Sequence, residues 1–517
     1  MSQGRKLRGI AHGGIQQEPI REMGYLSNMN SSIGFLRHSG ALAMICLVAS
    51  PSFQLSAQTR LPELGDSSGA LVTSAQEKRL GSEAMRELRA VGAVLNDPEV
   101  NAYLNELGRR ILKANPELRQ SFEFFAVGDN TVNAFAMPGG YIGVNMGLVL
   151  LTQTESELAS VLAHEIAHVT QKHYARQLDD QRKNSWMSIA GLAAAILAAR
   201  SGNGDAVQGA ILGSQAAQAQ SYLNFSRDNE READRIGFQY LTRAGFDGGA
   251  MGSFMERLQR NTTLNDSGSV PGYLRTHPLT IDRVGEAKSL ASNVAPRLAR
   301  ESEDYHYVRA LLRSYVGDSA DAVRHFEAVL SDRKFTSEAV ARYGLAASLL
   351  RTRDFERAKR EIASIRAKNV EHPMVEALLG QLYLQSDDVP GAVAQLERAF
   401  QRYPNHMQLA YDLPEALIRA KNPKRALSLL ESTLSKFPND PQLYALAARA
   451  SADLGLKQKQ HKNLGEQYYL QGALRAAIDQ FDLASKANDG DYYQASFVEA
   501  RAREVKRELA QLNSERR

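Results

Sequence analysis

Apolar positions recur along this chain with several different periods, and each period implies a different element. From Glu155 to Gln177 there is no Pro or Gly, and Leu158, Val161, Leu162, Ile166 and Val169 fall at helical spacing. Thr154 stands ahead of Glu155 and Glu157, as a helix N-cap should. Residues 226–245, SRDNEREADRIGFQYLTRAG, carry a second helical pattern that ends near Gly245. Two apolar runs are shorter: FEFFAV (122–127) reads as a strand, and NAFAMPGGYIGVN (133–145) as two strands joined at Pro138-Gly139-Gly140.

Beyond residue 300 the pattern becomes a repeat. Ala358, Ala392 and Ala426 stand 34 apart, each followed four residues later by Ile362, Leu396 or Leu430, and Pro404 and Pro438 share the interval. Ala322 and Ala477 begin similar turns off that register. A helix–turn–helix unit of this length is the tetratricopeptide signature, in which small Ala lets paired helices approach and stacking creates a concave surface. A bundle with coincidental spacing is the plainer alternative.

Two further apolar stretches are too short to span a bilayer. Arg37 and His38 precede ALAMICLVA (41–49), with small and polar residues to about Gln58, the pattern of an export signal. Residues 1–58 are therefore read as a targeting segment with Met29 as an alternative start, although Leu55 fits poorly ahead of a cut near Ala57. Trp186–Ala199 is nearly all apolar; it reads as a buried helix, or with Gly202-Asn203-Gly204 as a helical hairpin near the site, lid-like or touching a membrane.

Composition narrows the function classes. The chain has 517 residues, enough for two or more domains, and a formal net charge of +4 without a basic block, which argues against nucleic acid. Its one cysteine, Cys46, lies inside the signal-like stretch, so an exported chain would need no disulfide.

The chemistry is concentrated in VLAHEIAHVT, residues 161–170. Four helical residues advance about 400°, leaving His164 and His168 roughly 40° apart on one face with Glu165 beside them. Both imidazoles can then reach one metal ion and Glu165 a water next to it, the working half of a zinc peptidase. Two inert core histidines are the alternative. A third ligand is still required. Gln171 and Tyr174 stand where an extended HExxHxxGxxH pattern needs Gly and His, and His173, one place off, reads as a surface residue near the helix end. Cysteine is excluded, leaving a carboxylate or a distant His. In the second helix, Glu230 shares the small, apolar face with Ala233, Asp234, Gly237 and Leu241, whereas Glu232 lies with Asp228, Arg235 and Gln239 on a solvated face. A carboxylate aimed inward needs a charge partner, so Glu230 is the expected ligand and Glu232 is assigned to solvent. Asp234, one turn later, can accept a hydrogen bond from a ligand imidazole. An ordinary helix with i,i+4 charges is the competing interpretation.

The two motifs together, His164-Glu165-Ile166-Ala167-His168 and Glu230-Arg231-Glu232-Ala233-Asp234, resemble those of the HtpX/Ste-type gluzincin endopeptidases. NAFAMPGGYIGVNMGLV (133–149), NEREADRIG (229–237) and RTHPLTIDRV (275–284) extend the likeness, most strongly to periplasmic members whose catalytic domain precedes tetratricopeptide repeats. The resemblance implies an α+β chain: a mainly helical metallopeptidase domain with a small β-sheet (59–295), then an all-α repeat solenoid (300–510). It implies one Zn2+ per subunit held by His164, His168 and Glu230, with Glu165 as general base and Asp234 as a second catalytic carboxylate, although a role behind the ligand suits Asp234 better physically. His277 matches a loop position that can fill the open coordination site, a reversible latch or else merely a turn cap. Asn133, Ala134, Phe135 and Ala136 are the expected edge for an extended substrate, or only a structural hairpin. Expected partners are misassembled outer-membrane β-barrel proteins and, through the repeats, their assembly machinery, with a peripheral membrane contact besides and the periplasm as location. A chaperone or adaptor with latent proteolysis is the alternative function. A membrane-embedded prenyl-protein protease is disfavoured, because no stretch is long enough to span.

Overall fold

The computed structural model describes residues 73–176, 227–264, 273–274, 277–295, 299–487, 489 and 492–515. The signal-like segment and the 186–220 stretch lie outside them. Helix α1 (Ser74–Ala90) opens the described chain, and α2 (Pro98–Lys113) follows, with Asp97 Oδ1 accepting from the amides of Glu99 and Val100. Strands β1 (Glu123–Val127), β2 (Ala134–Met137) and β3 (Tyr141–Asn145) form one sheet in the order β1-β3-β2. β1 runs parallel to β3, pairing Phe125 with Gly143, and β2 runs antiparallel to it, pairing Phe135 with Gly143. The expected hairpin is therefore present. Its turn is a single 3-10 turn, Pro138–Gly140, in which Gly139 and Gly140 take φ of 77° and 85°, a region that costs glycine little.

After a short helix α3 (Met146–Leu151) comes α4 (Glu155–Thr170), capped by Thr154 Oγ1 accepting from the Glu157 amide at 3.1 Å. This helix is buried on every side as far as Ala167. Even its acidic first turn is enclosed: Arg110 donates to Glu155 at 3.1 Å and Arg257 to Glu157 at 2.8 Å. A helix surrounded by protein is a rigid mount for its side chains. Helix α5 (residues 227–243), α6 (Gly249–Leu264) and α7 (Ile281–Ser292) complete the catalytic region.

From Glu303 to Glu515 the described elements are all α-helices, each packed against the next in sequence. Ala358, Ala392 and Ala426 are each exposed by 1% or less, as the 34-residue period requires, and the off-register Ala322 and Ala477 are equally buried. Burying Ile362, Leu396 and Leu430 beside them contributes about 1.5–3 kcal/mol each. One apolar cluster runs without a break from Val100 in α2 to Leu382 among the repeats. Polar contacts reinforce it: Tyr315 donates to Asp97 at 2.6 Å and Tyr343 to Glu99 at 3.2 Å. At the far end, Arg86 of α1 donates to Glu508 at 2.8 Å.

Candidate metal centre

The centre lies where α5 crosses α4. Gly237 makes the crossing close, because a Cβ there would stand 3.0 Å from the backbone of His164. With the helices this near, Glu230 and Asp234 reach the imidazoles of α4. His164 Nε2 lies 2.9 Å from His168 Nε2 and 3.3 Å from both Glu230 Oε2 and His277 Nδ1. Glu230 Oε1 lies 3.3 Å from His168 Nε2 and 3.0 Å from His277 Nδ1. All four donors fall within 4.8 Å of one another. Donors bound at about 2.0–2.1 Å in a tetrahedron stand about 3.3–3.4 Å apart, so three nitrogens and a carboxylate with these separations fit a single divalent ion.

Each ligand candidate is held from behind. Asp234 Oδ1 lies 2.9 Å from His164 Nδ1, which fixes the tautomer with Nε2 free to bind. Asp234 in turn accepts from Arg283 at 2.7 and 2.9 Å, and Arg283 also reaches Glu230 at 3.0 Å. Tyr273 stacks on His277 with centroids 4.6 Å apart, and its carbonyl accepts from the His277 amide at 2.7 Å.

Burial and charge pull these groups in different directions. Burial opposes protonation of His164, but hydrogen bonds to Asp234 and Glu230 outweigh it and lift the pKa to about 10. Burial lowers His168 to about 3. Burial would raise Glu230, yet His277, His164 and His168 hold it well below the usual range. The carboxyl of Glu165 is raised by burial against the pull of His277 and His164. The Ala136 backbone approaches this carboxylate, and His277 Nε2 is 3.4 Å from it. The carboxylates Glu230 and Asp234 thus favour positive charge at His164, the charge that a bound divalent cation would also supply.

The structure brings His164, Glu165, His168, Glu230, Asp234 and His277 together. Ala134–Met137 form an edge of the sheet and pack against α4, with the Ala136 backbone close to Glu165. Asn133, just before β2, accepts the Asn145 amide through its carbonyl at 2.9 Å. Two expectations need correction. His173 is buried, not on the surface, because Lys172 takes φ of 53° and turns the chain back beneath α4. Glu232 is only partly exposed and accepts from Arg176 at 2.9 Å. Arg283 was missed. It sits in the RTHPLTIDRV stretch, and the second inward carboxylate, Asp234, left without a cation of its own, was the signal for it.

The profile of peptidase family M48 matches residues 94–291, and tetratricopeptide-repeat profiles match 307–369 and 383–450. The beta-barrel assembly-enhancing protease of Yersinia pestis is 31% identical over 458 residues, covering 88% of this chain and 93% of that protein. Its counterpart in Escherichia coli K12 is 30% identical over 86% of this chain and 90% of its own. The mitochondrial metalloendopeptidase OMA1 of Schizosaccharomyces pombe is 27% identical over 46% of this chain and 68% of its own.

Proposed function

The chain belongs to the family of the beta-barrel assembly-enhancing proteases within peptidase family M48, and from that premise we propose that this metalloendopeptidase is a periplasmic zinc enzyme that hydrolyses misassembled outer-membrane β-barrel proteins. The catalytic part occupies 59–295 and the protein-capturing solenoid 300–510. The convergence of His164, His168 and Glu230, from two helices far apart in sequence, carries the reading. When bound there, zinc supplies Lewis acidity to a scissile carbonyl and to water. Glu165 receives the proton of the attacking water and returns it to the departing amine, a role suited to a buried, raised carboxyl. Asp234 has both oxygens engaged by His164 and Arg283, behind the ligand ring, which favours positioning over proton donation. β2, an edge strand among the described residues, would take an extended substrate, with Asn133, Ala134, Phe135 and Ala136 lining the approach. The signal-like segment agrees with export.

Glu165→Gln tests this: casein cleavage should fall about 10²–10⁴-fold while zinc stays bound. Unchanged cleavage would sink the assignment. The alternative, an adaptor with latent proteolysis, draws on one observation: His277 Nδ1 is a fourth donor, and four protein donors close a zinc site. His277→Ala should raise basal cleavage if His277 is that latch. Full rescue of barrel assembly in cells by Glu165→Gln would favour the adaptor.

A further inference from the structure

The two imidazoles of α4 are supported differently. His164 rests on a carboxylate, Asp234, whereas His168 rests on another imidazole: its Nδ1 lies 2.9 Å from His173 Nδ1. His173 Nε2 lies 3.3 Å from Glu232 Oε2, Glu232 accepts from Arg176 Nη1 at 2.9 Å, and Arg176 Nη2 donates to Asn229 at 3.0 Å. Only one arrangement of protons satisfies this chain while leaving His168 Nε2 a lone pair for a metal. His168 Nδ1–H donates to His173 Nδ1, and His173 Nε2–H donates to Glu232. The reverse arrangement would leave Nε2 of His168 carrying the hydrogen, pointed at the cluster.

We propose that His173, backed by Glu232, is a positioning residue that holds His168 in its metal-binding tautomer and orientation. His173 is not among the four residues whose donors converge, and its Nδ1 faces the Nδ1 side of the His168 ring. Its place depends on Lys172, whose left-handed conformation returns the chain beneath α4, and on Glu232 and Asn229 of α5. The same helix therefore supplies Glu230 to the ion and, through Glu232, the support for the opposite helix's second histidine.

The inference rests on the metal reading above, and one experiment separates their failures. Zinc affinity of the full mature chain is measured by competition with a chromophoric chelator, for wild type, His173→Leu and His173→Asn, with thermal melts of each metal-free form. Asn places an amide oxygen where His173 Nδ1 now accepts; Leu cannot accept. His173→Leu should bind zinc about 10- to 100-fold more weakly, with His173→Asn recovering most of that loss and the metal-free melts unchanged. Equal affinity of wild type and His173→Leu would overturn the proposal, as would His173→Asn failing as badly as His173→Leu. If His173→Leu does not fold, Glu232→Gln replaces it, with a smaller loss expected and an unchanged affinity again contrary. Wild type without measurable zinc binding would instead remove the metal centre itself.

Discussion

Two buried clusters in this molecule combine carboxylates with histidines, and they behave in opposite ways. At the metal centre, burial would raise Glu230 and Asp234, yet the imidazoles and Arg283 hold both below their ordinary values. Where α2 meets the repeats, burial raises Asp97 and Glu99 and pushes Asp412 up to about 7. The cost of burial has the same sign in both places. The difference lies in the partners. Asp97 and Glu99 are met by tyrosine hydroxyls and backbone amides, and Asp412 by Gln408 at 2.8 Å, none of which carries positive charge. His406, 3.7 Å from Glu99, is itself pushed by burial to about 4 and stays neutral. One cluster is arranged to receive a cation, the other to keep protons.

Stripping the metal should break the comparison most severely. Chelation should abolish proteolysis and remove about 4 kcal/mol of stability relative to protein held at a thousandfold excess of zinc over Kd, read as a fall in Tm that zinc restores. A Tm indifferent to zinc would contradict it. Next, Arg283→Met should make the centre resemble the interface by leaving Glu230 and Asp234 without their guanidinium. A loss of about 3–5 kcal/mol is expected in urea titrations of the metal-free protein, and a smaller one with zinc bound.

Asp412→Asn acts on the other cluster and should stabilise. The folded chain holds the Asp412 proton to about pH 7, whereas the unfolded chain releases it near 3.8. The Asp412 contribution to stability should therefore fall as pH rises from about 4 to 7 and level off above, by on the order of 2–4 kcal/mol. The variant should lack this term, matching wild type near pH 4 and exceeding it at pH 8. A constant difference across that range would refute the assignment. The smallest effect is expected for Arg402→Ala, which breaks an exposed pair with Glu371 and should leave Tm unchanged.

The candidate ligands were legible in the sequence because helical geometry is local. A spacing of four puts His164 and His168 on one face, and the face shared with Gly237 separates Glu230 from Glu232. The repeat was equally legible, since Ala358, Ala392 and Ala426 keep their interval. What escaped depends on distant or singular features. One left-handed residue, Lys172, decides that His173 points inward, and no periodicity reports a single backbone angle. Arg283 reads as an ordinary helix cation until α7 is packed against α5. The acids at the interface are invisible for a related reason: a 34-residue period fixes how repeats stack on one another, but not which of them face α2.

The most direct test is zinc content per chain after equilibration against buffered free zinc, for wild type and for Glu230→Gln. One zinc per chain is expected in wild type, with Glu230→Gln needing at least about tenfold more free zinc to fill. A wild type that holds no zinc, or a Glu230→Gln that fills at the same concentration, would contradict a centre shared between the two helices.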